Sequence, residues 1–239
     1  MESNNAIVCL TRGYHNLAQY DSLIERNKAI RLHINKNNQY PLIIFHEGNI
    51  NEEHQDYITH FAEGQRLIFK DISEVWAGGY EGMCRFQTYD IWNYCKDYDN
   101  IMRIDEDCII QSCGDNPFDM KGNVYLRSIY FAESHSETNA TLPLFIHNLT
   151  GENITSFYND KFVYTNVGIG NVQFWLEPKM NLLIKSIAYS DLQLYNRWGD
   201  LPVLGSLLNI YAKGKVGHIE GLSYKHLSHD NYITSNGID

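Results

Sequence analysis

The chain has 239 residues, of which 44% are apolar and 20% charged, and a formal net charge of -10. That length and balance suit one α/β domain with a real core. The acidity excludes a nucleic-acid polymer as partner, because a phosphate backbone needs clustered Lys and Arg and no basic run occurs.

Ala6–Leu10 is a short apolar run and reads as a buried first strand, followed by a turn at Thr11-Arg12-Gly13-Tyr14. From Leu17 to Ile34 apolar residues recur at helical spacing. Pro41–Phe45 is a second strand, Glu52–Phe61 a helix and Leu67–Phe69 a third strand. This alternation predicts a mainly parallel sheet with right-handed crossovers. Tyr80–Tyr94 is the next helix, and Asn100–Ile104 a strand that stops at Asp105. Val124–Phe131 reads as one strand, Asn139–Thr150 as loop and helix, and Phe162–Ile169 as a strand and a turn. Pro178–Tyr189 and Asp200–Tyr211 are helices, the second with Asp200 at its N-cap and Pro202 in its first turn. After a short strand at Val216–Ile219, Gly221–Asp239 reads as a polar, loop-rich tail.

The polar start at Met1–Asn5 shows no signal peptide, and no apolar stretch approaches 18 residues, so a soluble, cytoplasmic chain without a membrane span is expected. In that setting the three Asn-x-Thr sequons, at Asn139, Asn148 and Asn153, read as chance. The five cysteines, Cys9, Cys84, Cys95, Cys108 and Cys113, include no CxxC and read as free, mostly buried thiols. The 17 tyrosines suit sugar and base contacts, or equally a core rim.

The sharpest local feature is an apolar strand ending in Asp105-Glu106-Asp107. In open α/β sheets ligands bind beyond the carboxyl ends of strands. Carboxylates there hold Mg²⁺ or Mn²⁺, which can bridge a diphosphate and offset the charge of an acidic protein. If strand geometry continued, Asp105 and Asp107 would share one side and Glu106 would point away. The plainer reading is an acidic turn facing solvent.

Two further segments lend this cluster weight. Tyr80-Glu81-Gly82-Met83-Cys84-Arg85-Phe86 precedes it by about twenty residues, and Arg197-Trp198-Gly199-Asp200-Leu201-Pro202-Val203 lies downstream. With Met102–Asp107 and Tyr224-Lys225-His226, these strings resemble the fungal α-1,2-mannosyltransferase family of the Kre2/Mnt1 type. That family carries Tyr-x-x-Met-Cys-Arg-Phe, Arg-Val-Glu-Pro-Asp, Arg-Trp-Gly-Asp-Ala-Pro-Val and a late Tyr-x-His in the same order. The match runs from Tyr80 to His226, while the first eighty residues agree only in general pattern.

The resemblance implies a GT-A fold, a Rossmann-like, mostly parallel central sheet flanked by helices in a single domain. The nucleotide-sugar half would cover about residues 1–110 and the acceptor half about 111–239. It implies Mn²⁺ (or Mg²⁺), a nucleoside-diphosphate sugar donor, and a glycan acceptor. The donor is GDP-mannose by resemblance, with a UDP-sugar as the other choice. Asp105 takes the place of the family's Glu as a metal ligand, with Asp107 beside it, and His226 is a second ligand. Taken alone, His226 reads as a surface histidine close to His218 and His229. Arg85 would pair with phosphate, or with one of the many acids. Arg12 and Tyr14 would lie where this fold holds ribose and base, though Tyr14 fits a plain turn as well. Asp200 would meet an acceptor hydroxyl or act as general base, or simply cap its helix. Trp198 would stack on a sugar face, with Arg197 beside it.

One departure stands out. The family places a Glu within Asn-Phe-Glu-Ile, and this chain has Asn166-Val167-Gly168-Ile169 there. A covalent glycosyl–carboxylate intermediate at residue 168 is therefore excluded. The expectation is a metal-dependent hexosyltransferase. Two rivals differ from it: a non-catalytic nucleotide-sugar or glycan-binding module, and a sugar nucleotidyltransferase, for which the loop at Thr11–Tyr14 is too short.

Overall fold

A computed structural model of the protein describes residues 4–152, 162–229, 231–234 and 237–238. The sequon at Asn153 lies outside these residues. The chain opens with β1 (Asn5–Leu10), α1 (Asp21–His33), β2 (Leu42–His46), α2 (Glu52–His60) and β3 (Leu67–Asp71). One long helical stretch follows: α3 (Gly79–Arg85), a π-helical turn at Phe86–Asp90, and α4 (Ile91–Tyr94). It leads into β4 (Asn100–Ile104). These β1–β4 strands are parallel neighbours in the order β4-β1-β2-β3, as the alternating pattern requires.

After β4 the structure departs from the expected outline. Cys108–Ser112 forms a strand, β5, that the sequence pattern does not single out. The run Val124–Phe131 breaks into β6 (Tyr125–Arg127) and β7 (Tyr130–Phe131), which sit in different sheets. The helix α5 (Ser136–Thr150) tolerates Pro143 inside it. Next come β8 (Phe162–Val163), β9 (Val167–Asn171), α6 (Val172–Leu176), α7 (Pro178–Ala188), α8 (Asp191–Tyr195) and α9 (Asp200–Tyr211). Gly199, not Asp200, is the N-cap of α9, and Asp200 is its first residue.

The tail is not loop-rich. After β10 (Val216–His218) it forms β11 (Ser223–His226), β12 (Asn231–Thr234) and β13 (Gly237–Ile238). These pair with β5 in an antiparallel sheet of order β13-β12-β11-β5. Only alternate β11 residues, Tyr224 and His226, are buried, so the segment reads as polar until its partner strand is known.

The main sheet has the order β10-β6-β9-β4-β1-β2-β3. All pairs are parallel except those of β9, which runs antiparallel to both β4 and β6. Apolar layers cover both faces. Ala6 and Val8 of β1 join one buried cluster, and Ile7 and Cys9 join the other. Burial on both sides explains why β1 reads as an unbroken apolar run rather than an alternating one. Among the described residues no helix is long and apolar enough to cross a membrane, and all five cysteines are free thiols.

Candidate active site

The parallel strands deliver the acidic cluster to their common carboxyl edge, where β4 ends. Strand geometry does not continue there: Glu106 and Asp107 form a turn before β5 begins. The three carboxylates each meet a different partner: Arg103 for Asp105, Tyr14 for Glu106 and His226 for Asp107.

Asp107 faces His226. The strand β5 pairs with β11 in a register that sets Cys108 opposite His226, which brings the Asp107 Oδ2 within 3.2 Å of the His226 Nε2. The Ser228 hydroxyl donates to the same carboxylate oxygen. On the far side of the ring, His226 Nδ1 lies 3.2 Å from the Tyr164 hydroxyl and 3.3 Å from the Asn166 amide nitrogen. Asn166 is itself held, accepting from the Tyr224 hydroxyl at 2.8 Å and from the Val167 N–H at 2.9 Å. The Tyr164 hydroxyl can donate or accept, so it supports either ring tautomer. Burial alone would raise the Asp107 carboxyl, but hydrogen bonds from His226 and Ser228 outweigh it and bring it down to about 2.

An ionised carboxylate and an imidazole nitrogen on one spot fit a hard divalent cation such as Mn²⁺ or Mg²⁺. Asp107, Cys108 and His226 offer ligand atoms within 4.8 Å of one another. Burial raises the Cys108 thiol well above its usual range, so the pair suited to a hard ion is Asp107 with His226. Asp105, implied as a ligand by the family pattern, is absent from that group. Its carboxylate is taken by Arg103, through Nε to Oδ1 at 2.9 Å and Nη2 to Oδ2 at 3.3 Å.

Arg103 is the residue that sequence reasoning passed over. It lies inside β4, nearly buried, and its Nη1 also donates to Asp200 Oδ2. Burial works against its charge, yet Asp105 and Asp200 together raise its pKa further. The signal was present: a lone arginine within the apolar strand Asn-Ile-Met-Arg-Ile needs carboxylate partners nearby. The ion pair ties the first turn of α9, through Asp200, to the sheet.

The loop after β1 closes the other flank. Gly13 presses against Asn49, whose carbonyl oxygen lies 2.3 Å from where a Cβ would stand, and the Gly13 N–H donates to Asn49 Oδ1. Tyr14 donates to Glu106 Oε1 at 2.5 Å, and Thr11 donates to Glu106 Oε2. The exposed Arg12 guanidinium lies 5.2 Å from the Tyr14 ring centre. Glu106 thus points toward the first-strand loop, a contact that an extended-strand reading hides.

Two expected residues lie elsewhere. Arg85 donates to the Val75 carbonyl at 2.6 Å and stacks over Tyr189 at 4.6 Å, so it braces α3 against the end of α7 and is not turned toward the acidic cluster. Trp198 is 1% exposed. It packs on Phe145, and its indole N–H donates to Thr141 Oγ1 at 2.8 Å, which leaves no ring face for a sugar. Its neighbour Arg197 is exposed, held at φ 53°, with its guanidinium 5.2 Å from the Tyr80 ring.

Gly168 sits in β9 between Arg103 of β4 and Arg127 of β6. A Cβ there would lie 2.1 Å from the Tyr125 hydroxyl. The phenol of Tyr125 fills the space that a side chain at residue 168 would need.

The sheet with its acidic turn at the carboxyl edge has the GT-A-type fold of the solved structures that follow. No protein-family model matches the sequence. A glycolipid 2-alpha-mannosyltransferase of Saccharomyces cerevisiae is 23% identical over 258 residues, covering 87% of this chain and 58% of that protein. The chain thus spans less than two thirds of that relative's length. The mannosyltransferase Ktr4p of S. cerevisiae superposes with a TM-score of 0.79 at 15% identity, over 94% of this chain and 70% of that one. Core-mannan synthase A of Aspergillus fumigatus, in its Mn/GDP form, gives 0.78 at 15% identity, over 95% and 75%. The likeness to fungal mannosyltransferases read from short strings is thus found again across nearly the whole chain.

Proposed function

We propose that the chain is a metal-dependent glycosyltransferase that moves a hexose from a nucleoside-diphosphate sugar to a hydroxyl of a glycan acceptor. The observation that carries this reading is the approach of Asp107 to His226, 3.2 Å apart, at the carboxyl edge of a GT-A-type sheet. Similarity to the relatives above favours mannose, GDP and Mn²⁺. Asp107 and His226 hold the metal. When bound, the metal supplies Lewis-acid stabilisation of the diphosphate leaving group.

The remaining roles follow the order of strands along the edge. Arg12 and Tyr14, with Glu106 across from them, hold the nucleoside, so the nucleotide half is built mainly from residues up to about 110. Arg103 fixes Asp105 and Asp200 as a rigid charged wall beside the transferred sugar. Asp200 acts there as a buried neighbour of the reacting centre, held by Arg103, and not as a free general base. Arg197 lies on the acceptor side. With Gly168 backed by Tyr125, departure of the diphosphate and attack by the acceptor proceed without a protein–sugar bond at residue 168.

Thermal unfolding with GDP, UDP and their mannose and glucose conjugates, each with and without Mn²⁺, tests this. A ligand at a hundred times its dissociation constant adds about 2.7 kcal/mol. One nucleotide should raise the midpoint strongly with Mn²⁺ and weakly after chelation. No shift with any of them sinks the reading. The missing carboxylate at residue 168 favours a second reading, a binding module without turnover. Donor binding without release of nucleoside diphosphate in the presence of glycan acceptors would select it.

A further inference from the structure

We propose that Arg127 and Tyr130 form an acceptor-side subsite for a saccharide that carries an oxyanion, either a carboxylate or a phosphate. This rests on the reading of the edge as a glycosyltransferase centre.

The strand order lays out the site. The nucleoside loop follows β1, Arg103 lies on β4 with Asp107 in the turn after it and His226 of β11 beside that turn, and Gly168 lies on β9. Arg127 lies on β6, the next strand, in register with Gly168. Two interstrand spacings, about 10 Å, separate β6 from β4. A donor laid from β1 to β4 places its sugar toward β9, so the group that meets it comes from the β6 side.

Arg103 and Arg127 flank the same glycine but differ in state. Arg103 is neutralised by Asp105 and Asp200. Arg127 has no carboxylate within ion-pair reach among the described residues, and its Nε is buried without a hydrogen-bond partner. Its guanidinium lies over the Tyr130 ring at 3.9 Å. Stacking fixes the plane of the group and leaves its N–H edge to fork onto a planar oxyanion. The Nη groups, and not the enclosed Nε, are the ones that an oxyanion reaches.

The surface beside it suits a pyranose. Tyr130 and Phe131 are 39% and 40% exposed. Phe131 stacks on Tyr164 with ring centres 4.8 Å apart and planes at 19°, and the Tyr164 hydroxyl reaches His226. Tyr164 thus extends aromatic surface from the metal pair to Phe131, while Tyr130, the preceding residue of β7, lies on the other face of that strand with Arg127. A protein of net charge -10 repels an acidic glycan at long range, so recognition of one requires a local cation of this kind.

The test compares a methyl hexoside with its 6-carboxylate and its 6-phosphate, as ligands with GDP and Mn²⁺ and as acceptors with GDP-mannose and Mn²⁺, for wild type, R127K and R127Q. Wild type should prefer at least one acidic form by about tenfold or more, and the better of the two identifies the anion. R127Q should bring the preference close to one, and R127K should fall between, at unchanged melting temperature. Equal use of neutral and acidic forms by wild type overturns the proposal, as does a preference that survives R127Q. If wild type binds no nucleotide with Mn²⁺, the glycosyltransferase reading fails first. If nucleotide binds but the acidic preference is absent, only the subsite fails.

Discussion

Arg103 donates to Asp105 and Asp200 at once, linking the end of β4 to the first turn of α9. Two carboxylates thus share one nearly buried cation. Arg103→Met should strand both and destabilise the fold by roughly 3–5 kcal/mol. Denaturant titration gives the number directly. A loss under about 1 kcal/mol would mean that the pair is hydrated and does not brace α9.

The metal assignment separates three neighbours. Asp107→Ala and His226→Ala should each abolish the Mn²⁺-dependent part of nucleotide stabilisation. Asp105→Asn should weaken the fold and retain most of the metal response, because its partner is Arg103. Calorimetry of Mn²⁺ with GDP present measures all three. Loss of metal binding in Asp105→Asn alone would return the ligand role to Asp105.

Asp107 also predicts a pH dependence in the metal-free protein. Its carboxyl is depressed to about 2 in the fold, against roughly 3.9 for a free aspartate. Its stabilising contribution is complete above the unfolded value and is lost as pH falls from about 4 through 2. With the side chain 34% exposed, screening reduces the effect to the order of 1 kcal/mol. Melting curves of wild type should fall more steeply over this range than those of Asp107→Asn. Parallel curves would refute the assignment.

Trp198 provides a test of structure against contact. As a buried ring on Phe145, its replacement by Ala should cost about 3–5 kcal/mol. Trp198→Phe should keep most of the packing and lose the bond to Thr141, about 1 kcal/mol. Acceptor KM should be unaffected by Trp198→Phe. A large rise in KM at unchanged stability would put the indole in the sugar site after all.

The parallel half of the sheet was legible because β1, β2 and β4 are buried on both faces and read as apolar runs. The Asp200–Tyr211 helix was legible from its acidic start and Pro202. The β5–β11 pairing was not. It joins residues more than a hundred positions apart through strands with only one buried face, and that pairing brings His226 to Asp107. Arg85 and Trp198 stand in motif strings, and a string marks a position without saying whether it touches ligand or holds the scaffold; the contacts seen for both are with the scaffold.

The fit of Tyr125 against Gly168 also constrains how this chain can change. A carboxylate at residue 168 would collide with the phenol, and a small residue at 125 alone would leave a hole beside Arg103. Room for a side chain at residue 168 therefore has to come from residue 125. The two positions are therefore coupled: what can stand at residue 168 depends on what stands at residue 125.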